Sequence, residues 1–112
     1  MAQTYKRLGA IYPSANTQTN VYVVPAATEA VISSISICNQ GATNASYSLI
    51  VMPSSAFSSN SSPAHYVIRG AVVPAADTII LTVGLTANAG SIIAANTNSG
   101  EVSFGAFGSE IY

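Results

Sequence analysis

Apolar and polar residues alternate in short runs along most of this chain, and turn-forming residues separate the runs. The clearest run covers residues 30–39, where Ile35 and Ile37 fall on one side of an extended chain and small polar residues fall on the other. A period of two is typical of a β-strand with one buried face. We therefore expect Ile35 and Ile37 to point toward the core.

Runs of this kind predict seven or eight short strands, each ended by proline, glycine or asparagine. No window combines a helical period with good helix formers. The predicted fold class is all-β, an antiparallel β-sandwich or a jelly roll without substantial helix. Residues 78–85 are apolar on both faces, which predicts a central strand covered on each side. The other predicted strands span residues 5–11, 20–24, 30–39, 46–52, 65–73, 91–95 and 101–111.

Two stretches, residues 23–32 and 72–81, are near copies that both begin Val-Val-Pro-Ala-Ala. Proline has no N–H for a strand ladder and has a fixed φ that suits a turn, so it ends the incoming strand. Each stretch predicts a strand, a proline-led turn and a second strand. The acids in these stretches, Glu29 and Asp77, are interpreted as turn residues and not as a catalytic pair.

The chain has 112 residues, which predicts one domain over 1–112, with 1–12 forming an N-terminal arm or an edge strand. Charged residues make up 6% of it, against about 25% in a typical soluble domain. Serine, threonine, asparagine and alanine replace them, and burying such groups costs less than burying ions. This composition favours a protein packed against neighbours; the alternative is a soluble β-domain with a polar, uncharged exterior.

The low charge also argues against a nucleic-acid partner. Three basic residues are too few for the roughly six to ten phosphate contacts of a substantial DNA site. We expect no membrane span, because the longest apolar runs are far below about 18 residues. We expect no signal peptide, because no apolar run follows Lys6 and Arg7.

Side chains for catalysis or metal binding are scarce. His65 is the only histidine and Cys38 the only cysteine, so we predict no catalytic residue, no metal site and no cofactor. In its apolar strand, Cys38 is interpreted as a small buried hydrophobic residue. Glu101, after Gly100, is expected to be a solvated charge near a sheet edge.

Six tyrosines and no tryptophan suggest recognition at the surface. Tyr5, Tyr12 and Tyr112 lie toward the chain ends and are better interface candidates than the tyrosines inside predicted strands. The Ser-rich segment 54–63 is the longest polar stretch and contains Phe57. An aromatic residue in such a loop either anchors the loop to the body or meets a partner.

Several short motifs in order along the chain resemble small structural proteins of tailed bacteriophage virions, especially phages of cyanobacteria. The resemblance covers nearly the whole chain and fails mainly between Ser54 and Pro63. It implies a β-rich, non-enzymatic component of the particle. The motifs are Tyr5-Lys6-Arg7-Leu8-Gly9, Val24-Pro25-Ala26, Cys38-Asn39-Gln40-Gly41-Ala42, Val73-Pro74-Ala75-Ala76-Asp77-Thr78 and Phe104-Gly105-Ala106-Phe107-Gly108-Ser109-Glu110-Ile111.

The resemblance and the composition together favour a capsid decoration (cement) protein, expected as a homotrimer that clamps the major capsid protein. It would be made in the host cytoplasm and be located in the virion, at the capsid surface rather than the tail. The predicted interface residues are Tyr5, Lys6, Arg7, Phe57 and Tyr112. The alternatives are a tail, baseplate or fibre-attachment component, and a carbohydrate-binding module on the virion surface.

Overall fold

A computed structural model of the chain describes residues 3–53 and 63–112. This part of the chain contains eight strands and a single short 3-10 turn, Pro63–His65, which confirms the predicted all-β class. The strands are β1 (Gln3–Ile11), β2 (Thr19–Val23), β3 (Glu29–Asn39), β4 (Ala45–Met52), β5 (Tyr66–Val73), β6 (Thr78–Ala87), β7 (Ile92–Thr97) and β8 (Val102–Ile111).

The strands form two four-stranded antiparallel sheets. Sheet A has the order β1-β8-β3-β6 and sheet B the order β2-β7-β4-β5. Most connections cross from one sheet to the other, and only β4 and β5 follow each other within a sheet. This order is that of a jelly roll, the second of the two architectures predicted.

The core lies between the sheets and consists of inward-facing aliphatic and aromatic side chains. Ile35 and Ile37 are 1% and 0% exposed, which confirms the alternation predicted for this strand. The Phe104 ring meets the Tyr47 ring edge to face at a centroid distance of 6.3 Å, a favourable geometry for an aromatic pair. A smaller buried cluster, separate from this core, consists of Ile50, Met52, Ile92 and Ala94.

The two Val-Val-Pro-Ala-Ala stretches form the corners at which the chain passes from sheet B to sheet A. They connect β2 to β3 and β5 to β6. The second alanine of each adopts a left-handed conformation, with φ of 56° at Ala27 and 53° at Ala76. The duplicated sequence thus makes the same turn twice, as predicted. Asp77 lies in its connection, but Glu29 is the first residue of β3 and not a turn residue.

Two predictions about individual strands are wrong. β6 is an edge strand and not a central one: its residues alternate between half-buried and exposed, and Ile80 is 69% exposed. The apolar run suggested two covered faces, but Ile80 lies among threonines on the outer face, while its apolar neighbours point inward. Cys38 is half-buried and not buried, because it lies on the face of β3 opposite Ile35 and Ile37.

Candidate interaction surface

The outer face of sheet A, the side turned away from the core, is wide and nearly uncharged. Directly paired residues of antiparallel strands point to the same side, so the register assigns this face. Among its described residues only Arg7 and Glu29 carry charge. The other members are small or hydroxylated side chains together with larger uncharged ones: Gln3, Tyr5, Val31, Ile80, Phe107 and Ile111. The small members include Ala10, Ser34, Ser36, Cys38, Thr78, Thr82, Thr86, Ser103, Gly105 and Ser109.

Phe107 lies on this face beside a glycine. An added Cβ on Gly105 would lie 3.3 Å from the Phe107 ring and 2.8 Å from the Ser36 hydroxyl. The missing side chain at Gly105 therefore leaves room for the ring, which is 38% exposed. Phe104 and Phe107 face opposite ways, since Phe104 is 2% exposed.

Both ends of the described chain meet at one edge of sheet A. Gln3 pairs with Ile111 across β1 and β8. The hydroxyls of Thr4 and Tyr112 are hydrogen-bonded at 2.8 Å, and the Gln3 amide donates to the hydroxyl of Tyr5 at 3.2 Å. Tyr5 and Tyr112 nevertheless remain 79% and 55% exposed. The hydroxyl of each ring is thus hydrogen-bonded, while the faces of the ring remain accessible to a partner.

Lys6 belongs to a network on the inner side of β1. Its Nζ lies 2.8 Å from Oε1 of Glu110, and the Tyr22 hydroxyl donates to Oε2 of the same carboxylate at 2.5 Å. Glu110 is buried and Lys6 half-exposed. The network connects β1 and β8 of sheet A to β2 of sheet B, so it holds the N-terminal strand at the rim of the sandwich.

The network shifts the acidity of all three groups. Hydrogen bonds from Lys6 and Tyr22 lower the pKa of Glu110, because they stabilise the carboxylate. The hydrogen bond and charge of Glu110 raise the pKa of Lys6. Burial, reinforced by the neighbouring carboxylate, raises the pKa of Tyr22 well above its usual value. The stable state is therefore an ionised Lys6–Glu110 pair with a neutral Tyr22.

The structure brings four of the five predicted interface residues together on β1 and at the end of the described chain: Tyr5, Lys6, Arg7 and Tyr112. Tyr5 and Arg7 share the outer face, whereas Lys6 points to the opposite side of the strand. Phe57 lies outside the described residues. Whether the five contact a partner stays a prediction.

Sequence reasoning missed Glu110, Tyr22 and Phe107 as members of this region. The last predicted strand, residues 101–111, contains two acids, and Glu110 is the one that lies away from its start, which suggests that it has a partner. Its partners are 88 residues away at Tyr22 and on the first strand at Lys6. The pairing of β1 with β8 brings Lys6 to Glu110, and the packing of sheet B against sheet A brings Tyr22 on β2 to the same carboxylate.

Two surface clefts lie elsewhere. One, of about 410 Å³, is bordered by the first corner turn, Glu29 and Tyr112. The other, of about 180 Å³, is polar and is lined by Asn16, Asn96, Asn98 and neighbouring serines. Part of its polar lining is already engaged, because the Asn98 side chain accepts a hydrogen bond from the Ser46 amide at 2.9 Å.

Within residues 3–53 and 63–112, no three metal-ligating side chains cluster together. In the same ranges, no helix has the length and apolar character needed to cross a membrane. Glu101 is exposed, as predicted, but it precedes β8, which lies between β1 and β3 and is not an edge strand. Compared with known proteins, the sequence matches no protein-family model and no curated protein.

Proposed function

We propose that this chain is a structural protein of a bacteriophage virion, most specifically a decoration protein that binds the assembled capsid and stabilises it. The observation that carries the proposal is the outer face of sheet A. It is broad and almost uncharged, and its edge is formed by the strand that contains three of the predicted interface residues. The resemblance to small virion proteins supports the same function.

The chemistry of this face suits binding to a large protein surface. Hydroxyls, methyl groups and glycine backbone lose less hydration energy on burial than charged side chains do. Tyr5 and Phe107 add exposed aromatic area, and aromatic residues contribute strongly to protein interfaces. The face can therefore be covered without the cost of burying several unpaired charges.

The two basic residues of β1 have different roles in this proposal. Lys6 already neutralises Glu110 within the chain, so its first role is to hold β1 in place. Arg7 is exposed beside Phe107 and makes no ion pair with another described residue. Arg7 is thus the better candidate to meet an acidic group of the major capsid protein.

Stabilisation would follow from mass action. A protein that binds only the assembled shell lowers the free energy of that state relative to free capsid subunits, in proportion to the number of sites occupied. The proposed partners are the major capsid protein and further copies of this chain. No catalytic step is required.

The proposal is tested by deleting the gene from the phage that encodes the chain. Particles without the protein should lose DNA at a lower temperature and after milder osmotic shock than complete particles. Adding purified protein back should restore both resistances. Equal resistance of the two kinds of particle would refute the decoration role.

The tail is the alternative location. A tail, baseplate or fibre-attachment protein could use the same uncharged face against a different neighbour. The number of copies in each particle separates the two, because a head lattice offers hundreds of sites and a tail about six to a few dozen.

A carbohydrate-binding module is favoured by one observation, the polar cleft lined by Asn16, Asn96 and Asn98. Amide and hydroxyl groups of this kind can pair with sugar hydroxyls. A glycan array tests this alternative: binding that is lost in the Asn96→Ala variant would support it, and the absence of any bound glycan would exclude it.

A further inference from the structure

The four edge strands of the sandwich differ in how they are protected against pairing with another chain. An edge strand presents unpaired N–H and C=O groups, and proteins usually block it with charge, shortness, proline or bulges. β1 contains Lys6 and Arg7 and a register shift. β2 has five residues and a register shift. β5 contains Arg69 and two register shifts.

β6 has little of this protection. Its ten residues, Thr-Ile-Ile-Leu-Thr-Val-Gly-Leu-Thr-Ala, include no charged residue and no proline. Like β1 and β2 it has one register shift, at which Val83 and Gly84 fall opposite the single residue Ser33 of β3. It differs from β1 and β5 in having no charge and from β2 in its length. Among the described strands only β3 pairs with it. β6 is therefore the edge that is open to another strand.

A second β6 fits this edge when the two strands run antiparallel about a twofold axis at Thr82. In that register Thr82 faces its own copy, Ile80 faces Gly84 of the second molecule, and Thr78 faces Thr86. Thr–Thr pairs are favourable across antiparallel strands. Gly84 has no atom within 4 Å of the position that its Cβ would take, so it offers open space to Ile80, which is 69% exposed.

The inner faces also match in this register. Ile79 would lie opposite Leu85, and Leu81 opposite Val83, each pair being half-buried in the single chain. β6 contains no charged residue, so the contact between two copies of it involves no like-charge repulsion.

From these observations we infer that two copies of this chain pair through β6 to form a twofold dimer, in which the two sheets A join into one eight-stranded sheet. The partner is a second copy because the side chains of β6 complement one another in this register, with exposed Ile80 opposite the open space at Gly84, and a twofold interface makes this contact twice. The pairing goes beyond the proposed function and does not depend on it. It differs from the trimer expected from the sequence, which would need contacts between two different surfaces.

Sedimentation of the full-length chain over a wide concentration range tests the pairing. We expect a monomer–dimer equilibrium. Thr82→Lys places two ammonium groups opposite each other at the axis and should raise the dimer dissociation constant by about tenfold or more. Val67→Lys adds the same charge to the exposed face of β5 and should leave the dimer intact. Circular dichroism verifies that both variants fold.

Cysteine crosslinking tests the register without relying on a disruptive variant. In a Cys38→Ser background, Thr82→Cys should form a disulfide-linked dimer on mild oxidation. Thr78→Cys should not, because the two copies of residue 78 would be separated by about 26 Å along the strands. A monomer at every concentration, a trimer mass, or crosslinking at 78 in preference to 82 would overturn the inference.

Discussion

Ala27 and Ala76 occupy equivalent positions in the two corners of the sandwich and adopt nearly the same left-handed conformation, with φ of 56° and 53°. A residue with a Cβ is strained there by about 1–2 kcal/mol. The shared angle shows that the duplicated Val-Val-Pro-Ala-Ala sequence specifies backbone geometry.

Replacing either alanine with glycine should relieve this strain. We expect Ala27→Gly or Ala76→Gly to leave the free energy of unfolding unchanged or to raise it by up to about 1 kcal/mol, since the gain exceeds the entropy cost of glycine only slightly. Ala26→Gly is the control, because φ is not positive at Ala26; it should lose about 0.5–1 kcal/mol. Urea denaturation measures the free energy of unfolding of all three variants. If Ala27→Gly lowered it as much as Ala26→Gly does, the backbone at Ala27 would not be strained.

The valine pairs before the prolines provide a second matched comparison. Val73 is fully buried and Val72 is 57% exposed. Val73→Ala removes two buried methyl groups and leaves a cavity, so it should cost about 2 kcal/mol. Val72→Ala should change stability by less than about 0.5 kcal/mol. Thermal denaturation of the two variants tests the assigned faces, and equal losses would mean that the faces are misassigned.

The Glu110 network should make stability depend on pH at both extremes. The lowered pKa of Glu110 contributes stability that is present above its ordinary value of 4.5 and is lost as the pH falls through the folded-state pKa. The raised pKa values of Lys6 and Tyr22 contribute stability that is lost in strong alkali, as the pH rises above 10. The free energy of unfolding should therefore fall in acid, which is the acid limb of the profile, and in strong alkali. Between these two regions it should stay nearly constant.

Glu110→Gln tests the acid limb directly. The variant should lose about 1–3 kcal/mol at neutral pH, because Lys6 and Tyr22 lose a charged acceptor, and its stability should fall less steeply in acid. Glu101→Gln alters an exposed acid and should keep the wild-type profile. An unchanged acid limb in Glu110→Gln would exclude this carboxylate as its source.

Tyr5 is more exposed than Tyr112, the other tyrosine among the predicted interface residues, at 79% against 55%. If the outer face of sheet A binds the shell, Tyr5→Ala should weaken binding to particles that lack the protein by roughly tenfold, the effect of losing one aromatic contact at an interface. Val67 is also exposed, at 45%, but lies on β5 of sheet B, so Val67→Ala should bind normally. Co-sedimentation with the particles measures both variants.

The sequence predicted the structure best where the residues of a single strand are enough to show which of its faces is buried. The alternation around Ile35 and Ile37 placed these residues correctly, and the prolines located both corners. The run around Ile80 was misread because residues 78–85 do not reveal which strands lie beside them. An edge position depends on strand order, and strand order depends on contacts between distant parts of the chain.

The candidate surface was predictable in part. Tyr5, Arg7 and Tyr112 were chosen because they lie near the chain ends, and the pairing of β1 with β8 brings those ends together. The roles of Lys6 and Phe107 could not be read in the same way. They depend on Glu110 and Gly105, which become neighbours of these residues only in the folded protein.

The number of copies of this protein in purified particles tests its proposed location in the capsid most directly. Quantitative mass spectrometry against the major capsid protein gives this number. The decoration role predicts hundreds of copies in each particle, in fixed proportion to the capsid subunits. Absence from the particle, or only six to a few dozen copies, would contradict it.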